Sequence, residues 1–265
     1  MYSGTTESTT AVRDEVGETT LELFRDNDGY SEFLWRALSG LGRRPIGPRV
    51  LEVGCGIGNL TRTLLAEAGV ERVHAIDLDP AYVDRVRREI PDPRLEVSTS
   101  RAEEFRPPPL VEPNGSFDTI VCINVLEHIE DHQKVLCNFA TMLRPGGQVL
   151  LLVPAHPSLF CGLDRGLSHF RRYARRDLLE VAAGARLRVE SLRHFNPLGT
   201  LGWWLNGRVL RRSILPAGQL SFYTRFAIPL SRFLDRLNPL PIGISLLAAL
   251  SGEVPEEEVR PAAER

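Results

Sequence analysis

The chain has 265 residues, 43% hydrophobic and 25% charged, with a formal net charge of −2. This is the composition of a soluble globular protein, and a charge so close to zero argues against general nucleic-acid binding. The longest apolar runs, 149–153 and 244–250, are too short to span a bilayer, and the polar stretch 1–20 has no apolar signal core, so a cytoplasmic protein is expected. The four cysteines, at 55, 122, 137 and 161, have no paired or zinc-ligand spacing and read as reduced core thiols. Lys134 is the only lysine, a bias that GC-rich coding DNA explains, so clustered arginines are not by themselves anion sites.

Residues 1–14 are polar and expected to be disordered. From Val16 to Leu41 apolar residues recur at helical spacing, predicting one or two helices before Gly47-Pro48 breaks the pattern. Strands and helices then alternate. The predicted strands are 49–53, 72–77, 95–98, 117–123, 148–153, 187–194 and 244–250. The intervening helices are 59–68, 80–90, one ending near Leu143 before Pro145-Gly-Gly147, and 175–183. This order predicts an α/β doubly wound, Rossmann-like seven-stranded sheet, six strands parallel and the last antiparallel. The core is read as 15–195 with 242–251. Residues 196–241, rich in aromatics such as Trp203, Trp204, Phe222 and Phe226, are read as a helical insertion or lid, and 252–265 as a flexible tail.

The most informative stretch is Leu51-Glu-Val-Gly-Cys-Gly-Ile-Gly-Asn-Leu-Thr61, an apolar strand entering a glycine turn and then a helix. Glycines at 54, 56 and 58 let the backbone turn sharply and approach a ligand. About twenty residues later a second strand ends on Asp77, placed to take the hydroxyls of a ribose. The dinucleotide pattern needs glycine at 59, where this chain has Asn59, which argues against a nicotinamide dehydrogenase. The acidic Glu52 suits a ligand with an amino group and a sulfonium, which points to S-adenosylmethionine.

With these motifs, Phe117-Asp-Thr-Ile-Val-Cys-Ile-Asn-Val-Leu-Glu-His128 and Leu143-Arg-Pro-Gly-Gly147 follow in order. The chain resembles a class I S-adenosylmethionine-dependent methyltransferase over about residues 30–250. Its second half, through His169-Phe-Arg-Arg-Tyr173, Gly202-Trp-Trp204 and Pro241-Ile-Gly-Ile-Ser245, resembles a subgroup found beside or fused to glycosyltransferases. The resemblance implies that Glu52, Gly54, Cys55, Gly56 and Gly58 meet the methionine end of the cofactor, with Asp77 on the ribose and Leu78 against the adenine. It places Arg101 where relatives often carry an acidic side chain, so backbone at Arg101 and Ala102 is the expected adenine contact. Asn124 and Val125 lie at the ligand edge of the sheet.

Methyl transfer to a hydroxyl needs a base, and histidine titrates in the right range. The candidates are His128, His156 and His169, with a structural helix-start role as the plain alternative for His128. Arg171 and Tyr173, with Asn196, Trp203 and Trp204, are candidate acceptor contacts; a solvated arginine loop and a small aromatic core are the plain alternatives. No metal site is expected. The acceptor is read as a small or glycan-like molecule, methylated at oxygen, with nitrogen or carbon methylation and a non-catalytic cofactor-binding regulator as alternatives. Arg208, Arg211 and Arg212 raise lipid docking, which the lack of a sustained basic amphipathic pattern disfavours.

Overall fold

The computed structural model describes Glu22, residues 28–42, 44–107, 116–213, six positions from 223 to 233, and 242–252. The expectations for 1–14, for most of 214–241 including Phe222 and Phe226, and for the tail after Gly252 lie outside the described residues.

Helix α1 (Asp28–Ser39) precedes β1 (Arg49–Val53), α2 (Asn59–Ala66), β2 (Arg72–Asp77), α3 (Pro80–Glu89) and β3 (Leu95–Thr99). Next come β4 (Phe117–Ile123), a 3₁₀ turn at Leu126–His128, α4 (His132–Met142) and β5 (Leu143–Pro154). A second 3₁₀ turn (Pro157–Leu159), α5 (Gly162–Gly166), α6 (Arg175–Gly184) and β6 (Leu187–Phe195) lead to α7 (Pro197–Trp204), which runs into a π-helical turn at Leu205–Val209. Strand β7 (Ser245–Gly252) closes the sheet.

The sheet order is β3-β2-β1-β4-β5-β7-β6. Strand β7 is antiparallel to both neighbours and the other six run one way, as the alternating pattern predicts. The chain leaves β1 toward β2 on one side and returns to pair β4 on the other. Strand order therefore reverses between β1 and β4, and open α/β sheets bind ligands outside the carboxyl ends of the strands at such a point.

Successive strand residues bury opposite faces. Leu51, Ile120 and Leu151 pack with Leu136, Phe139 and Leu178 of α4 and α6. Val50, Val121 and Leu150 pack with Leu38 of α1, Leu64 of α2 and Val83 of α3. Each fully buried side chain of this size contributes about 1.5–3 kcal/mol, so both sheet faces are covered and the strands read as near-continuous apolar runs.

Two local devices fix the strands that carry the site. Asp118 Oδ2 accepts from the Arg49 N–H at 3.0 Å and Thr119 Oγ1 from the Gly47 N–H at 3.2 Å, which sets β1 against β4. Asp79 caps α3, accepting from the Ala81 N–H with Pro80 at the first helical position, as its sequence predicts. The expected break at Pro145-Gly-Gly147 is instead absorbed into β5. The ladder shifts between Phe117 and Thr119, and Gly146 takes φ +79°, so the segment bulges without leaving the sheet.

Candidate active site

The glycine turn after β1 is a left-handed run, with φ of +80°, +50° and +84° at Gly54, Gly56 and Gly58. A Cβ on Gly54 would lie 2.3 Å from Val125 Cγ2, so the turn after β1 and the segment after β4 touch there. The Gly54 and Cys55 N–H groups donate to the Ile76 carbonyl, which ties the turn to the end of β2. Asp77, the last residue of β2, accepts from Gly56 N–H at 2.8 Å and from Asp79 N–H at 3.0 Å. Burial raises its carboxyl above the usual range despite those bonds. Leu78 beside it is exposed.

Glu52 is buried under this turn. Thr61 Oγ1 donates to its Oε2 at 2.6 Å, while Oε1 is buried without a partner. Burial pushes its carboxyl up to about 8, with the nearby Asp77 adding to the effect. Cys55 is buried, and its thiol is pushed far up by burial, so it is a packing group. Arg101 points its guanidinium to Glu103, at 2.8 and 2.5 Å. Ala102 is buried and its carbonyl accepts from Asn138 Nδ2 at 2.8 Å.

At the end of β4 the backbone is unusual. Asn124 takes φ +52°, a left-handed position that asparagine tolerates better than most residues. The turn beyond it brings Glu127 fully under the surface, with neither carboxylate oxygen partnered, and burial raises its carboxyl to about 8. Its oxygen Oε1 is 4.0 Å from Nε2 of His169, and the ring of His128 meets that of His169 edge to face at 4.7 Å. The other ring nitrogen of His169, Nδ1, lies 3.1 Å from Asp164 Oδ1. Asp164 also accepts from Arg172 Nε at 2.6 Å and from the Cys161 N–H. Burial alone would raise this carboxyl, but His169 and Arg172 outweigh burial and hold it low.

The structure thus unites two of the three expected histidines. His156 sits elsewhere, stacked on His194 at 4.9 Å with φ +60°, and burial lowers its affinity for a proton. The donor atoms of Glu127, His128 and His169 all lie within 4.8 Å of one another. No metal site was expected here, yet the fold brings one acid and two histidines together. The cluster was hidden because His169 comes 41 residues after His128 and reaches it only through the loop beyond β5. Asp164 and the buried Glu127 were missed as partners; an acid inside the apolar Val-Leu-Glu run was the available signal.

The expected acceptor contacts divide. Tyr173 is fully buried with its hydroxyl between the Leu126 carbonyl and His132 Nδ1, so it pins the loop to the sheet, and the loop is not simply solvated, because Arg172 is buried on Asp164. Asn196 is a buried helix cap, its Oδ1 accepting from the Gly199 N–H and the Ser231 hydroxyl. Arg171 donates to the Glu130 carbonyl. Trp203 lies under the Arg172 guanidinium, 4.5 Å from ring to cation, whereas Trp204 is on the outer surface. A cleft of about 200 Å³ beside Arg44, Gln148 and Arg188 contains none of these residues.

A methyltransferase-domain family model matches residues 23–212. The chain belongs to that family. The chain is 36% identical over 109 residues to a ubiquinone biosynthesis O-methyltransferase of Xanthomonas axonopodis pv. citri, covering 40% of this chain and 43% of that one. It therefore spans less than half the length of the curated relatives it matches. Among solved structures, an S-adenosylmethionine-dependent methyltransferase from Mesorhizobium loti superposes with TM-score 0.57 at 19% identity, over 84% of this chain and 98% of that one. Phosphoethanolamine N-methyltransferase 2 of Haemonchus contortus, in complex with S-adenosyl-L-methionine, gives TM-score 0.60 at 19% identity, over 89% of this chain and 57% of that one. The cofactor of the family is S-adenosylmethionine.

Proposed function

We propose that the protein methylates a hydroxyl of a small or glycan-like acceptor, with His169 as the base that removes the hydroxyl proton. The observation that carries this reading is the 4.0 Å separation of His169 Nε2 and Glu127 Oε1. Two atoms so spaced can both lie at hydrogen-bonding distance from one shared oxygen. Glu127, pushed up to about 8, keeps its proton at neutral pH and can donate to that oxygen. His169, its Nδ1 held by Asp164, presents Nε2 to accept the proton. The O-methyltransferase named above supports oxygen as the acceptor atom.

The residues around the glycine turn fit the cofactor. The orphaned, buried Oε1 of Glu52 is an acceptor suited to an amino group, and left-handed glycines leave the backbone of 54–58 open to close approach. Asp77 keeps two-oxygen acceptor capacity for a ribose beyond its backbone bonds, and exposed Leu78 offers an apolar surface to a ring. Bound S-adenosylmethionine supplies a methyl group on a positively charged sulfur. Val125 against Gly54 sets the distance from the turn to Glu127, which aligns the acceptor oxygen for in-line attack. Trp203 stacks on Arg172, which holds Asp164 and through it His169, and in this reading the segment that carries it closes the histidine side against water.

The test is formation of S-adenosylhomocysteine with a panel of phenolic, sugar and amine acceptors. Hydroxyl acceptors are expected to turn over. His169→Ala should lower turnover about 10²–10⁴-fold with cofactor affinity unchanged. Use of amines alone, or full activity in His169→Ala, overturns the reading.

A further inference from the structure

The segment after β6 has two faces of opposite character. Trp203, Asn206 and Gly207 turn inward: Trp203 lies under Arg172, Asn206 and Gly207 are buried, and a Cβ on Gly207 would meet Cys161 Sγ at 2.3 Å. Leu201, Trp204, Leu205 and Val209 follow at helical spacing on the other side and are 62%, 47%, 40% and 52% exposed. Among the described residues eleven large apolar side chains are exposed, and eight of them fall between positions 201 and 242. An apolar stripe this concentrated on an outer helix face marks an interaction surface.

Charge decides what it fits. Between Glu190 and Asp235 the sequence holds six arginines and no acidic residue, in a chain whose net charge is −2. Arg208 flanks the stripe and donates to the Ser158 carbonyl, and exposed Arg211 lies just beyond it. No helix among the described residues is long and apolar enough to cross a membrane. We propose that this face docks on an anionic lipid bilayer, with the apolar stripe at the acyl boundary and the exposed Arg208 and Arg211 at the headgroups. Tryptophan favours that boundary, and arginine stems can lie along it with their charged ends in water. A second copy of the chain is a poorer occupant, because two-fold pairing would set the arginines against their own copies. The expected lack of a sustained basic amphipathic pattern does not count against docking here, because the outward face is defined by what the inward face packs on. If the proposed function holds, docking lays the outer surface of the Trp203 segment on lipid and lets an acceptor held at the membrane reach the site.

Flotation with vesicles of 30% phosphatidylglycerol in phosphatidylcholine, against pure phosphatidylcholine, tests the docking without acceptor or cofactor, so its outcome is independent of the chemistry. The wild-type chain should float with the anionic vesicles and be released by high salt. Arg211→Glu should weaken partitioning about fivefold or more, and Leu205→Gln/Val209→Gln about tenfold or more. Melting temperature and S-adenosylmethionine affinity show that the variants are folded. If the double variant fails to fold, Arg211→Glu alone decides. Wild-type protein left at the bottom with both vesicles overturns the proposal, as do variants that float like wild type. A dimer, or RNA binding, that the same variants abolish while vesicles are ignored assigns the face to that partner instead.

Discussion

Asp164 holds His169 from behind: its Oδ1 is 3.1 Å from the ring Nδ1, and it is itself fixed by Arg172 at 2.6 Å. A buried carboxylate in this position selects the tautomer with the proton on Nδ1 and leaves Nε2 as the acceptor. Asp164→Asn keeps the shape but removes the charge. Turnover should fall by about tenfold or more, because a neutral amide no longer fixes the ring with its proton on Nδ1. Unchanged turnover with lowered stability would make Asp164 structural only.

Asp77 carries the second prediction. Charge-assisted hydrogen bonds contribute about 1.5–3 kcal/mol, so Asp77→Ala should weaken S-adenosylmethionine binding roughly tenfold or more. Calorimetry on the folded variant measures this; unaltered affinity removes Asp77 from the cofactor site.

Gly54→Ala should be costly for two separable reasons. A φ of +80° strains any side chain by about 1–3 kcal/mol, and the new Cβ would meet Val125 at 2.3 Å. Adding Val125→Ala should restore part of the stability and leave the backbone part lost. Full recovery, or none, would show that only one of the two acts.

Glu52 and Glu127 make stability depend on pH in a definite sense. Both are raised from 4.5 to about 8 in the folded chain, by burial above all. The unfolded chain loses these protons above about pH 4.5 and the folded one only near 8. Their contribution is therefore fully present below 4.5 and is lost as pH climbs to 8. Glu127→Gln should flatten the decline between pH 5 and 8 and be more stable than wild type at pH 8, as chemical denaturation across that range would show. A steeper decline in the variant would mean that Glu127 is charged and paired.

Trp203→Ala should weaken acceptor use more than cofactor affinity, since Trp203 lies on Arg172, which holds Asp164 and through it His169. Measuring melting temperature, cofactor affinity and turnover on one preparation separates this from a packing role; a change in melting temperature alone ends the lid reading.

The sheet was legible because its signals are local. Apolar runs, the glycine turn and the Asp79-Pro80 start all act within a few residues, and each appears where the pattern places it. At Pro145-Gly-Gly147 the helix ends as expected, but the strand begins at Leu143 rather than Gln148, because these residues bulge within a ladder that only the β4 partner defines. The buried cluster was half legible. His128 and His169 carry their chemistry in their side chains and stand out, but Asp164 is one of many acids, and what singles it out is that the loop folds it away from water onto Arg172. Arg171 and Tyr173 show the converse: residue types rich in binding chemistry that the fold uses to hold its own backbone.

The position of β7 has a consequence for how the protein is made. It is the last strand among the described residues yet sits between β5 and β6, antiparallel to both. Until residues 245–252 are available, β5 presents an open edge and β6 has no strand to join, although both were synthesised some 50 to 100 residues earlier. A nascent chain therefore carries unpaired, partly apolar edges from the completion of β5 and β6 until residue 245 emerges, the condition under which strands pair with the wrong neighbour. Closure comes at the end and all at once, so translation that stalls before residue 245 should yield aggregate rather than a smaller folded unit.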